Sequence, residues 1–534
     1  MKPSQFAFLV LAACMQTLSA NAKKVETNWL NPENPTQVGY ITDISILKAD
    51  SAAVYLITNW RERNDYPENM GFSVSPFAHL HKWNRATNEH SSIELFDLPP
   101  KEKKWRKLLF TLEVDGLHYI VSHYKGKSEK KHFIYAQRID FEQFKVNEDV
   151  RLIAEIDVPE SEWINRGECR FQADTCKGKV LFNYVIEAKQ NNQMGVIVMD
   201  KNFNTEWVKS SRTPIAVGKN YEFNYIVDKE GNLYAIQANY SINAKRSSNA
   251  LKTHLVFYPK DGSAPKGRLL TLDNHKEIVS QSISFNDKDE LICVGLFAEN
   301  NTRSAIGAFT MTFTNQLDSI KHQHTKAFER PFFLKGESQD MQEALQRKLD
   351  QKEDFEKDFN YSSPVIHFRE NGAYDFVIEK SRLGINKSDG IATYSFTFGD
   401  IIAVCCNPDG SFRWQQKIPK HQEFENAKEF LGHYYLIHDE EDNMHFIFNQ
   451  FETNRLRLTD RAEPQTFMLS VDPEGNESFQ TLFNDSEASK TFAPLFSKPS
   501  NDSSALVLMR FNQFKQLITT KKHYNVIFGE LKFN

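Results

Sequence analysis

The chain is predicted to be all-β, a β-propeller of about eight (alternatively seven) four-stranded blades with one inserted α-helix. Three observations carry that expectation. Short apolar-rich runs recur in groups of four, each group filling roughly 50 residues, which is the span of a propeller blade. Turns built from Asp, Asn, Gly and Pro separate the runs, and these residues initiate turns or tolerate positive φ. Phe supplies 42 of the 534 residues, and aromatic side chains suit a pleated, half-buried surface. One sheet cannot bury both of its faces alone, whereas sheets stacked face to face bury each other.

The groups follow in order. Residues 44–47, 53–58, 77–83 and 92–98 read as the first four strands. The second group is 107–114, 119–124, 133–139 and 150–156, and the third is 170–173, 180–186, 195–199 and 205–209. The fourth is 223–227, 233–238, 253–258 and 268–272, and the fifth is 282–285, 291–297, 305–313 and 319–324. Later hairpins are VIHFRENGAYDFVIE, YYLIHDEEDNMHFIFNQF and FMLSVDPEGNESFQTLF, each with an acidic, Asn- or Gly-bearing turn. The last group has three strands, 493–496, 506–511 and 524–528, and residues 38–42 are expected to close the ring as its fourth.

One segment breaks this rhythm. Residues 336–359 lack internal Gly and Pro and are rich in helix formers. Met341, Leu345 and Leu349 fall at i, i+4 and i+8, a narrow apolar stripe. Ser338 stands where an N-cap is expected, so the segment reads as a helix inserted between the fifth and sixth blades and packed on its own propeller, with a partner-docking helix as the alternative.

The clearest hairpin is GDIIAVCCNPDGSFRWQQKIPKHQ, residues 399–422. An apolar run at 401–406 enters the turn Asn407-Pro408-Asp409-Gly410, and a second strand at 411–418 carries Trp414 at its centre. In Asp400 to Ala403, Asp409-Gly410, Trp414, Ile418-Pro419-Lys420 and Gln422, this unit resembles one found in secreted, propeller-like proteins of the phylum Bacteroidetes. There an apolar strand ends in Asp-Gly and a Trp strand closes on Ile-Pro-Lys-x-Gln, with His421 here in the variable place. The resemblance covers mainly residues 361–451; it implies export and a β-rich repeat fold, and no activity.

The N-terminus reads as an export signal: Lys2, an apolar run at 6–15, and a cleavage site at Ala20-Asn21-Ala22. Residues 1–22 are then a signal peptide and 23–534 a single propeller domain. A competing reading makes Leu11-Ala12-Ala13-Cys14 a lipobox with Cys14 as the lipidated residue, giving a lipid anchor. The apolar run is too short to span a bilayer, and no later run is long enough. Export implies a periplasmic, cell-surface or extracellular protein. Cys169 and Cys176 are a disulfide candidate in such a compartment, while the adjacent Cys405 and Cys406 point to opposite faces of a strand and read as buried small hydrophobes. A formal net charge of -5 provides no global basic field for nucleic acid, and the basic clusters at 101–107 and 125–131 read as solvated loops.

Candidate sites are sparse. Lys420, His421 and Gln422 follow Pro419 where a strand meets a loop, and they are the candidate binding residues against a purely structural, turn-forming role. His79 with His81, and His322 with His324, stand two apart on strands and could share a metal, although neither pair has a third ligand nearby. Asp200, Asn202, Asn204 and Glu206 loosely resemble a calcium loop without its Gly, and Asp439, Glu440, Glu441 and Asp442 form a second acidic turn. No metal site and no cofactor are expected. The chain contains no GxSxG, GxxxxGK[ST] or GxGxxG, so no catalytic residue is named. The expected function is that of a non-catalytic binding or scaffold protein at the cell envelope, with an envelope protein or glycan as ligand. The alternative is a carbohydrate-active enzyme with carboxylates clustered at the propeller axis.

Overall fold

The structure, a computed structural model, describes residues 25–29, 36–38, 41–60, 77–87, 89–95, 106–126, 129–157, 169–186, 191–214, 224–239, 252–272, 276–299, 302–356, 358–388, 391–425, 432–451, 464–483, 490–492, 494, 498–499, 506–515 and 522–533. The proposed signal peptide and Cys14 lie outside them. The fold is an all-β propeller: among the described residues there are eight antiparallel sheets of four to six strands, mostly meanders in which sequence neighbours pair. Two α-helices occur among the described residues, α1 (Arg330–Leu334) and α2 (Gln339–Asp350).

The chain divides into two compact units, Met1–Leu95 with Glu379–Ile401 and Ile418–Asn534, and Phe96–Ile378 with Ile402–Lys417. In the second unit the sheets stack in chain order. Ile134 and Ala136 of one sheet share a cluster with Phe182 and Ile197 of the next. Leu181 and Val198 then meet Val227 and Leu233, and Ile236 and Phe257 meet Cys293 and Phe309. Val294 and Leu296 finally pack with Phe376, Val404 and Cys406. Stacking of this kind buries strand Leu291–Glu299 at every position but its last. Gly295 permits the closest approach, since a Cβ there would lie 2.0 Å from the Ser280 carbonyl oxygen.

The acidic turns share one construction. Asp200, Asp228, Asp439 and Asp472 each accept through Oδ1 the backbone N–H four residues on, and through Oδ2 the side-chain amide of the Asn there. At Asn407 the main chain makes the same turn, its N–H donating to Ser411 O and Gly410 N–H donating back to Asn407 O. Gly410 sits at φ +85, and Thr310 Oγ1 donates to its carbonyl at 2.7 Å.

Several expectations need correction. The helix is shorter than residues 336–359: α2 ends at Asp350, and α1 precedes it with Pro331 in its first turn. Beyond α2, Asp354 accepts the backbone N–H groups of Arg303 and Ser304 at 3.2 and 3.1 Å, which draws the chain out of the helix. Ser338 does occupy the N-cap position, without a side-chain capping bond. Leu345 and Leu349 pack on the core of the second unit, whereas Met341 is 45% exposed. Residues 41–42 belong to Ile41–Ala49, which pairs with Ala53–Trp60. Of the expected closing strand only Val38 pairs with the C-terminal strand Lys522–Phe533, at the end of Thr36–Val38, and Val25–Trp29 joins it there. Cys169 and Cys176 are opposite ends of one extended strand, about 23 Å apart at the usual rise, far beyond the span of a disulfide. The Cys176 thiol donates to Val227 O instead.

Candidate functional site

Lys420 and Gln422 are buried and His421 is exposed, so the structure does not bring the three together as one ligand-facing group. In the first unit the Lys420 ammonium donates to Glu379 Oε1 at 2.5 Å and to Gln422 Oε1 at 2.9 Å. Gln422 donates in turn to the carbonyls of His433 and Asn449. Glu379 Oε2 meets His433 Nδ1 at 2.5 Å, and the His433 ring lies 4.0 Å from that of Phe398. Beside them Lys380 pairs with Asp400 at 2.6 Å. Burial alone would push the Glu379 carboxyl up; the Lys420 charge and the His433 bond hold it below the usual carboxylate range. Every charge here has a close partner, as buried charges require.

Of the histidine pairs, His81 is engaged through its ring. His81 uses both ring nitrogens, one on Thr58 Oγ1 (2.7 Å) and one on His90 (3.0 Å). Burial, with its histidine neighbours, lowers its pKa to about 3. The His322 and His324 rings stack at 6.4 Å. In the acidic turns Asp200 is bonded to Asn202 and Asn204, and Glu206 accepts from Lys179 and Lys260. Asp439 accepts from Glu441, Asn443 and His445. Turn and ion-pair chemistry therefore engages Asp200, Glu206 and Asp439 among the residues that suggested calcium.

A site that sequence reading missed lies in the second unit. Strand Phe412–Ile418 and the segment from Lys326 through α2 enclose a cleft of about 760 Å³. Two rings line it: Phe332, stacked on Phe328 at 4.0 Å, and Trp414. Three amides line it as well, and all are oriented by the protein. Gln342 donates to Leu334 O and Glu337 O, Gln415 donates to Lys326 O, and Gln416 accepts from Lys335. The cations are Lys326, Lys335, Arg413 and Lys417, against Glu329 as the acid of the lining. Lys417 is buried and donates to Phe333 O and to Glu337 at 3.0 Å each. Pro331 starts α1, and the short linker to α2 brings Lys335 and Gln342 to the same wall. The available signal was Trp414-Gln415-Gln416-Lys417, a polar run on the strand that carries the clearest hairpin.

No protein-family model and no curated protein matches the chain. Among solved structures it is similar to the β-propeller domain of the trilobed protease from Pyrococcus furiosus, with 10% identity and a TM-score of 0.30, covering 84% of this chain and 98% of that one. It is similar to the acylaminoacyl peptidase of Pyrococcus horikoshii, with 7% identity and a TM-score of 0.35 over 90% of this chain, and spans 58% of that protein's length. It is also similar to an α-L-arabinanase of Penicillium chrysogenum, with 8% identity and a TM-score of 0.27, covering 55% of this chain and 99% of that one. Among the described residues no helix is long and apolar enough to cross a membrane.

Proposed function

We propose that the chain is an exported, non-catalytic binding protein of the cell envelope and that the cleft beside α1 and α2 is its ligand site. The observation that carries this reading is the cleft's construction. Its volume falls in the range of small-molecule sites, and rings, amides and cations converge on it from two strands and two helices. Export rests on the N-terminal signal pattern and on the resemblance described above.

The buried network of the first unit offers no general acid of its own. Glycoside hydrolysis needs a carboxyl of raised pKa to protonate the leaving group. Glu379 is instead lowered and bound to Lys420 and His433, and Asp400 is bound to Lys380. A carbohydrate-active enzyme with axial carboxylates remains the alternative reading.

A thermal-shift panel of envelope glycans, oligosaccharides and peptides tests the proposal, run on wild type and on Arg413→Ala/Phe332→Ala. A ligand of the native state raises the melting temperature by mass action. The expected result is a shift with one ligand class that disappears in the double variant. A shift of equal size in both proteins, or turnover of the ligand, contradicts the proposal.

A further inference from the structure

Resting on that reading of the cleft, we infer that its ligand is an acidic saccharide, one bearing uronate carboxylates or sulfate esters. Charge is the first argument. The chain is net acidic at -5, yet this cleft gathers four cationic side chains against Glu329. Among the described residues, Lys417 is matched by Glu337, whereas the charged ends of Lys326 and Arg413 make no ion pair. Arg413 is exposed on the strand. A guanidinium presents the planar fork that matches a carboxylate or sulfate bidentately, and the neighbouring Lys326 adds a point charge.

The neutral lining argues for a saccharide rather than an acidic peptide. Gln342 and Gln415 have their amide nitrogens fixed on protein carbonyls, so their oxygens are pre-oriented acceptors for hydroxyl groups. The half-buried Phe332 ring offers an apolar surface beside them, supported from behind by Phe328. Ring, hydroxyl acceptors and anion-binding cations in one concave site match the apolar face, hydroxyls and acid group of one sugar unit. A peptide would more often be read along a sheet edge through its main chain.

Isothermal titration of the full mature chain tests the inference. The probes are oligogalacturonides, the same oligomers as methyl esters, sulfated galactan oligosaccharides and polyglutamate. The expected result is at least tenfold tighter binding of an acidic or sulfated oligosaccharide than of the neutral ester, weakening with added salt. The uronate and sulfate arms separate the two sources of negative charge. Arg413→Gln/Lys326→Gln, two side chains outside the core, should reduce that affinity at least tenfold while the melting temperature of the free protein is unchanged. Equal binding of acid and ester, abolished by Phe332→Ala, overturns the acidic ligand and leaves the binding cleft standing. Binding of polyglutamate alone overturns the saccharide, and no binding across all the saccharides overturns the inference outright.

Discussion

At the scale of single residues the chain keeps its buried charges in matched sets, and this makes sharp predictions. Lys420→Met alone leaves Glu379 buried without its ammonium, at a cost of about 3–5 kcal/mol. Adding Glu379→Gln should recover a large part of that loss in urea unfolding. A single variant no less stable than the double contradicts the pairing. Acidification acts with the same sign through several groups, of which Glu379 and His81 are two. Glu379 is lowered from 4.5 in the fold, so its contribution is present above that value and is lost as pH falls through its folded pKa. His81 is lowered from 6.5 to about 3, so between those values the unfolded chain takes up a proton that the fold refuses, and stability falls with pH. By pH 5 that amounts to roughly 2 kcal/mol for this histidine. The melting temperature of His81→Gln should therefore fall less steeply than wild type between pH 6.5 and 4. Equal slopes would remove His81 from the account.

At the scale of elements, the hairpins were legible because their determinants are local. An Asp bonds the backbone and the Asn four residues on, as at Asp228 and Asp472, and such a turn needs no distant partner. The same locality misled the calcium comparison, because Asp200 and Asp439 are already engaged by their own turns. The helix was legible as a stripe but not in its length, since its end is set by Asp354 reaching Ser304, 50 residues away in sequence. Leu345 packs on the core and Met341 does not. Leu345→Ala should therefore lower stability by about 1–2 kcal/mol, and Met341→Ala by no more than about 0.5. Chemical denaturation of the two variants checks this, and equal losses would place α2 wrongly.

At the scale of the whole molecule, the four-strand rhythm was readable because each sheet repeats one pattern, whereas the site was not, because it joins distant parts of the chain. Gln415 to Lys326 and Lys417 to Phe333 are contacts across 89 and 84 residues. Sequence alone could not separate Lys417, which lines a cleft, from Lys420, which is buried against Glu379. Both close the same Trp-bearing strand, and only the packing around each decides its role. The closing strand was expected at 38–42 and is supplied by Val25–Trp29 and Thr36–Val38, because 41–42 are taken by the first sheet. Binding at the cleft is tested by hydrogen exchange of the full chain with and without the ligand found by thermal shift. Added protection is expected only in residues 326–342 and 412–418. Protection elsewhere, for instance around His79 and His81 or the 200–206 turn, with none in those two segments, would contradict it.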